Sequence, residues 1–490
     1  MSDRPTDPGS RDLPPWAFAA GVAAAVVLQI ALIATHDYFV DEWQALQIAV
    51  QSPDLAALLA NLRYEGHPPL WYLLLRGLAA VVGPGSALAA ASLLCAIATL
   101  ALIVLRAPLP RWARLAIILA EPILFEYGTV SRGATLGVSL IFVALASWDR
   151  PRAVWGALAL LPLVDFLFGV IALALIVLRW WERQRFWGPG VALFALCSLA
   201  AAWSVMPAPD FVSVYRPSPP LELVARWLTE MAVVALPVQW DGGPRWDAPW
   251  LTPVTPLLAI AFLAMLYHQT RARPFERLVA VGFPLLLLVF MVGVQVLAIR
   301  HVMLAAVVFF AVLWRQGAAR VAIRRPTAIW LAANALCGLL MAGFALTTPF
   351  DTAPAAARAI RELRLENEIW LSFPAQHGQG VAALTGIRLE GAELGCRQTF
   401  VRWNFRHRLT DPRRLRDWLA REAKRGGTFH LITQHRPARG GPARLLATIP
   451  YGLDGKIYHL YRVDGAQPGR RRAAPPCVPG TLALPPLAPR

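Results

Sequence analysis

The chain has 490 residues, of which 57% are hydrophobic and 16% are charged, and its mean hydropathy is +0.49. Soluble domains carry about 25% charged residues, so the composition excludes an ordinary soluble enzyme and predicts a polytopic membrane protein. The net charge of +17 comes almost wholly from arginines dispersed between apolar runs. This dispersal indicates membrane topology and does not favour nucleic acid as a partner.

The apolar runs predict an all-α membrane protein with about 11 to 13 transmembrane helices. Residues 153–179 are long enough for two short passes that turn near Pro162 and Asp165. Segment 68–82 begins with two prolines and carries Arg76, so an interfacial or re-entrant helix explains it better than a crossing. The predicted spans are 16–35, 86–105, 112–128, 133–148, 153–179, 188–206, 250–268, 278–298, 301–314 and 328–347.

The arginine-rich connections orient these spans, because such loops stay on the cytoplasmic side. The rule predicts a cytoplasmic tail over 1–15 and a transmembrane catalytic domain over 16–349. It places the long loop 36–67, the Pro- and Trp-rich loop 207–248 and the C-terminal part outside.

The C-terminal part predicts a small α/β domain over 350–466. Helices are expected at 351–364 and at 411–424, the latter with Asp411 as N-cap, and strands at 369–373, 428–434, 444–449 and 456–463. The Pro- and Arg-rich tail 467–490 is expected to be disordered. A disulfide between Cys396 and Cys477 is compatible with an oxidising compartment.

The first outer loop carries acids at both ends. Asp41 and Glu42 come directly after the first apolar run, and because charges beside apolar spans usually mark a site, both are predicted to be catalytic. A carboxylate at Asp41, shielded by apolar walls, would have a raised pKa and act as a general base. The alternative is that Asp41 caps the helix that starts near Glu42.

Glu65 and His67 stand in the segment YEGHPPLW. Gly66 permits a tight turn and the two prolines stiffen the start of the next segment, so both side chains are expected near the membrane edge. His67 is a candidate proton shuttle or a cation for a phosphate. An ordinary loop is the alternative. No second histidine stands at ligand spacing, so we predict no cofactor, and a divalent metal is not supported.

Arg132, in FEYGTVSRGATL, and Arg300, in VLAIRHVMLAAV, lie on the predicted outer face against the charge bias. A guanidinium matches a phosphate bidentately, so binding of a lipid phosphate explains them. The alternative is snorkelling to lipid headgroups. Tyr64, Tyr127 and His301 stand beside these residues and complete the predicted substrate-binding set.

Together these motifs resemble the GT-C superfamily of membrane glycosyltransferases, in particular the branch of the protein O-mannosyltransferases and the lipid A aminoarabinose transferase. The motifs on which this resemblance rests are Asp41-Glu42, the segment GHPPLWY from Gly66, PILFEYGTVSRGATL with Arg132, and IRHVMLAAV with Arg300. Three positions depart from the family pattern. His301 replaces the usual tyrosine, His67 stands where the lipid A enzyme has a lysine, and Gly133-Ala134 come after Arg132 where the family often has an aromatic residue.

The resemblance implies a polyprenyl-phosphate sugar as donor and a lipid, glycan or protein as acceptor, at the outer face of a bacterial inner membrane. Asp41 would be the base of an inverting transfer, and Glu65 and His67 would orient the acceptor or protonate the phosphate side. Arg132 and Arg300 would stabilise the leaving phosphate. A lipid-linked glycan ligase, a transporter and a non-catalytic, glycan-binding relative remain alternatives.

Overall fold

The computed structural model describes residues 12–184, 187–212, 218–238, 254–293, 297–404, 413–437, 441–467, 469, 471–483 and 485–487. A helical bundle precedes a small α/β domain. The helices of the bundle are α1 (Pro15–Thr35), α2 (Val40–Gln51), α3 (Leu55–Leu62), α4 (Leu70–Val82), α5 (Pro84–Arg106), α6 (Arg111–Leu119), α7 (Gly133–Ala146), α8 (Pro151–Leu160), α9 (Phe166–Arg183), α10 (Gly188–Ser204), α11 (Pro220–Ala235), α12 (Thr255–Thr270), α13 (Pro274–Gly293), α14 (Ile299–Val302), α15 (Leu304–Ala318) and α16 (Arg325–Thr347).

Several of these helices present large apolar side chains to the outside of the bundle. Val27, Leu94 and Leu199 are 67%, 57% and 70% exposed, which suits contact with lipid tails. Among the described residues, five helices are long and apolar enough to cross a membrane, namely α1, α5, α13, the continuous run Ile299–Ala318 and α16. The predicted polytopic helical fold is confirmed, whereas the number of crossings stays a prediction.

The predicted span 112–128 is not one helix. Helix α6 ends at Leu119, and a separate π-helical turn lies at Pro122–Glu126. Pro122 has no N–H to continue the helix and its ring clashes with the carbonyl four residues earlier, which accounts for the break. Helix α16 crosses at this point, where a Cβ on Gly338 would lie 2.0 Å from the carbonyl oxygen of Leu119.

The turn predicted within 153–179 is confirmed. Helix α8 ends at Leu160, a short 3₁₀ turn comes next, and Asp165 caps α9 by accepting a hydrogen bond from the Leu167 N–H at 2.9 Å. The loop expected over 207–248 differs, because residues 220–235 form α11, which packs against α12 and α13. The prolines at the start of this segment favoured the loop prediction, although proline is well tolerated in the first turn of a helix.

Helix α4 lies along α2, which suits the interfacial placement expected for segment 68–82. Arg76 of α4 donates to the carbonyl oxygens at the end of α2, at 2.7 Å from Ser52 and 3.3 Å from Ala49. Arginine at a helix C-terminus satisfies carbonyl groups that lack partners in the helix. Whether the segment crosses the membrane stays a prediction.

The C-terminal domain is α/β, as expected. It contains α17 (Ala353–Glu362), β1 (Ile369–Phe373), α18 (Gln379–Thr385), β2 (Arg388–Gly391), β3 (Cys396–Arg397), α19 (Arg413–Arg425), β4 (Phe429–Thr433), β5 (Ala443–Ile449) and β6 (Tyr458–Val463). The sheet order is β3-β2-β1-β4-β6-β5, with β1 parallel to β2 and β4 and the other pairs antiparallel. All four predicted strands and both predicted helices are confirmed; Asp411 lies outside the described residues.

The described residues of the tail are attached to the C-terminal domain, and the disorder expected for 467–490 stays a prediction. A disulfide joins Cys396 to Cys477. The Leu482 N–H donates to the Gln51 carbonyl at 3.0 Å, and the Leu487 N–H donates to the Ala383 carbonyl at 2.9 Å. The tail therefore runs back over the domain and reaches α2. Composition favours disorder of the tail, whereas the Cys396–Cys477 disulfide attaches it to β3.

Candidate active site

Asp41 lies between two arginines in the first turn of α2. Its Oδ2 atom is 3.1 Å from Nη1 of Arg132 and 2.8 Å from Nη1 of Arg300. The Asp41 side chain is 33% exposed, and those of Arg132 and Arg300 are 15% and 21% exposed. The N-cap of α2 is Phe39, so Asp41 does not occupy the capping position that was the alternative for it.

Three distant parts of the chain converge here because the local structure fixes each one. Arg132 is the N-cap residue of α7, and Arg300 lies in the short helix α14. The Tyr127 hydroxyl donates to the backbone carbonyl of Arg300, which holds these two loops together. A Cβ on Gly128 would lie 2.3 Å from the Ile123 carbonyl oxygen, so this turn requires glycine.

The electrostatics of Asp41 differ from the expectation. Burial by itself raises the pKa of this carboxyl, but the guanidinium groups of Arg132 and Arg300 outweigh it and hold the pKa well below its ordinary value. The prediction of a raised pKa is therefore wrong for the structure without substrate. Asp41 is a firmly ionised carboxylate here.

Glu42 points away from Asp41 and is fully buried. Its two oxygens accept hydrogen bonds from the Ser131 N–H at 2.6 Å and the Phe39 N–H at 3.0 Å, and one lies 2.9 Å from Nε2 of His36. Glu42 thus ties the end of α1 and the start of α2 to the loop before Arg132. This position favours a framework role for Glu42, and its catalytic role stays a prediction.

Glu65 and His67 occupy the turn before α4. Burial raises the pKa of Glu65 to about 7, against the effect of the Gln44 amide, which donates to it at 2.6 Å. Burial, with Arg132 and Arg300, lowers the pKa of His67 to about 4. The imidazole is therefore neutral at pH 7 in this state, which argues against the phosphate-binding cation considered for it.

Two cavities share Arg300. The first, of about 40 Å³, is lined by His67, Trp71, Arg132, Asp165, Arg300 and His301 among others. The second, of about 430 Å³, is lined by Asp41, Arg226, Glu230, Arg300, Asp454 and Lys456 among others. A molecule in either cavity reaches the same arginine, and this arrangement suits a reaction between two substrates.

Of the remaining predicted binding residues, two lie at the site and one lies elsewhere. His301 lines the first cavity, and its Nδ1 accepts from the Ala298 N–H at 3.1 Å. Tyr127 is buried and contacts the site through the backbone of Arg300. Tyr64 is not brought to Asp41: its hydroxyl donates to Asp210 at 2.6 Å in a separate pocket with Arg402 and Asn404.

Arg226, Glu230 and Lys456 were not predicted to lie at the site. Arg226 and Glu230 form an ion pair at 2.9 Å on α11, the helix that was not predicted. Lys456 comes from the C-terminal domain, and no spacing rule joins it to the first outer loop. The one available signal is that the chain has only two lysines, Lys424 and Lys456.

The comparisons with known proteins rest on structure alone. No protein-family model and no curated protein match the sequence. The structure is similar to that of ArnT from Cupriavidus metallidurans in the apo state, with a TM-score of 0.52, 12% sequence identity, and coverage of 91% of this chain and 97% of that one. A structure of the same ArnT bound to undecaprenyl phosphate aligns with a TM-score of 0.44 and 15% identity, covering 92% and 98% of the two chains.

At such low identity the first likeness establishes the fold, and it extends through the bundle and the C-terminal domain. The resemblance to the GT-C membrane glycosyltransferases that the sequence suggested is confirmed at the level of the fold, and the chain has an ArnT-like fold.

Proposed function

We propose that the chain is a membrane glycosyltransferase that moves a sugar from a polyprenyl-phosphate donor to a lipid, glycan or protein acceptor. The observation that carries the proposal is the Asp41 carboxylate held between Arg132 and Arg300 where two cavities meet. Transfer between two bound substrates needs an anion-stabilising group on the donor side and a base on the acceptor side. The pair of arginines and Asp41 supply both within a few ångströms.

The proposed reaction is a single displacement with inversion. The acceptor hydroxyl oxygen attacks the anomeric carbon, and the bond from that carbon to the phosphate oxygen breaks. The hydroxyl proton passes to Asp41, and the bonding electrons leave with the polyprenyl phosphate. Arg132 and Arg300 stabilise the charge that develops on the phosphate, because guanidinium groups in a partly desolvated site interact strongly with it.

The low pKa of Asp41 in the empty site bears directly on this step. A firmly ionised carboxylate is a weak base, and the two arginines are the cause. A donor phosphate bound to the same guanidinium groups shares their positive charge and adds its own negative charge nearby. Both effects raise the pKa of Asp41. The donor thereby activates the base, and an acceptor hydroxyl is not deprotonated before the donor is in place.

The proposal places the site at the outer face of a bacterial inner membrane. The disulfide between Cys396 and Cys477 supports this side, because disulfides form and persist in oxidising compartments. Its placement agrees with the charge-derived orientation, in which the C-terminal domain is periplasmic.

Transfer in membranes tests the proposal. Radiolabelled polyprenyl-phosphate sugars (mannose, glucose, arabinose and aminoarabinose) are incubated with membranes that contain the wild type, Asp41→Asn or the matched control Asp417→Asn, which changes an exposed carboxylate of α19. We expect transfer by the wild type and the control, and a loss of about 100-fold or more for Asp41→Asn. Equal transfer by Asp41→Asn refutes the base assignment. Absence of transfer from any donor by a folded wild type contradicts the proposed function.

A further inference from the structure

The turn between β5 and β6 of the C-terminal domain is fixed to the end of the membrane bundle. The Leu453 and Asp454 N–H groups donate to the carbonyls of Pro349 and Phe350, just beyond α16, at 3.0 and 2.9 Å. A Cβ on Gly452 would lie 2.5 Å from the Phe350 carbonyl oxygen, so the two backbones approach as closely as glycine permits. This turn is therefore held in place by the bundle.

Apolar packing secures the same turn. Leu453 is fully buried in a cluster with Phe39, Phe125 and Phe350, which come from the first outer loop, the π-helical turn and the segment after α16. Phe39 directly precedes α2 and is the second residue before Asp41. The cluster thus ties the β5–β6 turn to the segment that carries Asp41.

Lys456 of this turn enters the second cavity. It lines that cavity together with Asp41, Arg226 and Arg300, and its side chain is 23% exposed. Its Nζ atom lies 3.1 Å from Oδ2 of Asp454 and 3.9 Å from Oδ2 of Asp351. Of these two carboxylates, Asp351 is already bonded to the Tyr458 hydroxyl at 2.9 Å and to the Ala353 N–H at 2.6 Å.

Lys456 is protonated and positively charged in this position. Burial by itself lowers the pKa of an ammonium group, but Asp454, Asp351 and Asp41 outweigh it and raise the pKa of Lys456. Asp41 belongs to this set although it is far away in the sequence. Lys456 is therefore a cation within electrostatic reach of the predicted base, at the wall of the second cavity.

We propose that Lys456 is a phosphate-binding residue of the reaction site, so that the C-terminal domain completes the site of the membrane bundle. The inference rests on the proposed function and adds a ligand class for the second cavity: a lipid-borne phosphate held between Lys456 and Arg300. The phosphate is that of the polyprenyl donor or one carried by the acceptor lipid. The ammonium group of a lysine binds phosphate as a point charge, and the lysine side chain is long enough to follow a phosphate that moves during the reaction.

Binding measurements on the full-length protein in detergent test this role. Lys456→Met removes the charge and keeps the length, Lys456→Arg keeps the charge, and Lys424→Met removes the only other lysine. The ligands are undecaprenyl phosphate, undecaprenol, hexa-acylated lipid A and its dephosphorylated form. We expect Lys456→Met to weaken binding of one phosphate ligand about tenfold, which corresponds to about 1.4 kcal/mol. Lys456→Arg and Lys424→Met stay within about threefold of the wild type.

The pattern across ligands identifies the phosphate. A selective loss for undecaprenyl phosphate assigns Lys456 to the donor, and a selective loss for lipid A assigns it to the acceptor. Undecaprenol and dephosphorylated lipid A are unaffected in either case. Wild-type affinity of Lys456→Met for both phosphates refutes the role, and so does an equal loss for all four ligands, because that pattern reports a disturbed fold.

A double variant protects the test against misfolding. Lys456→Met alone leaves Asp454 without its partner, whereas Lys456→Met with Asp454→Asn removes both charges of the pair. The double variant should show the same selective loss. If the folded wild type binds neither phosphate, the proposed function and the role of Lys456 both fail. If the wild type binds and both Lys456→Met variants bind equally well, only the role of Lys456 fails.

Discussion

Glu42→Gln distinguishes a framework role of Glu42 from a catalytic one. The side chain is fully buried, and its carboxylate receives two backbone N–H groups and faces His36. Glutamine has nearly the same shape but keeps only one acceptor oxygen, and its NH₂ group is a donor. Whichever way the amide turns, it directs a donor at either the Ser131 or the Phe39 N–H.

The cost can be worked out from these contacts. A buried N–H that loses its acceptor costs about 1–3 kcal/mol, and hydrogen bonds to a charged acceptor contribute about twice as much as neutral ones. One orphaned N–H and one weakened bond therefore lower the free energy of unfolding by about 2–4 kcal/mol. The control Glu362→Gln changes an exposed carboxylate in the last turn of α17 and should stay within about 0.5 kcal/mol.

Thermal unfolding in detergent, followed by the intrinsic fluorescence of the tryptophans, measures the effect beside size-exclusion profiles. We expect Glu42→Gln to unfold several degrees below the wild type and the control, and to lose activity in proportion to the unfolded fraction at the assay temperature. A variant that unfolds like the wild type yet transfers no sugar would refute this reasoning and return Glu42 to the catalytic residues.

Two further predictions concern Glu65 and the β5–β6 turn. Burial raises the pKa of Glu65 to about 7, so the group is neutral below that pH and anionic above it. The donor is a phosphodiester of constant charge, so its repulsion by the anionic carboxylate should raise the KM for the donor as the pH increases through 7. Glu65→Gln should remove this rise and leave kcat unchanged. A rate that rises with pH and vanishes in Glu65→Gln would make Glu65 the base. In Gly452→Ala the new Cβ would meet the Phe350 carbonyl oxygen, so this variant should displace Lys456 and weaken phosphate binding. The control Gly395→Ala meets nothing within 4 Å but has a φ of +66°, so it should lower stability only. Phosphate affinity equal to that of the wild type in the Gly452 variant would contradict the docking of the turn.

Much of the fold was predictable because its signals are local. Apolar runs set α1, α5 and α16 within a few residues, and the apolar stretch at 369–373 gave β1 its observed bounds. The missed elements lack such signals: β2 and β3 are short, and α11 lies among prolines and tryptophans. The break at Ala120 comes two residues before Pro122, so a local signal for it was present in the sequence although the span was predicted as continuous.

The site was predictable as a set of charges and not as a set of contacts. Asp41, Arg132 and Arg300 were identified because charges beside apolar spans are rare. Their mutual distances, which set the pKa of Asp41, depend on tertiary structure. Glu42 was assigned to the site since it neighbours Asp41 in the sequence, but successive residues of a helix project about 100° apart. Lys456 required the docking of a separate domain.

The attachment of the β5–β6 turn has a consequence for biosynthesis. Asp41 leaves the ribosome among the first residues, whereas Lys456 and the tail with Cys477 are translated near the end. A nascent chain inserted as far as α16 already contains Asp41, Arg132 and Arg300, but the part of the cavity wall formed by Asp454 and Lys456 does not yet exist. The second cavity reaches its final form only when the last domain has folded onto the bundle, so quality control of that domain also decides when the membrane site is complete.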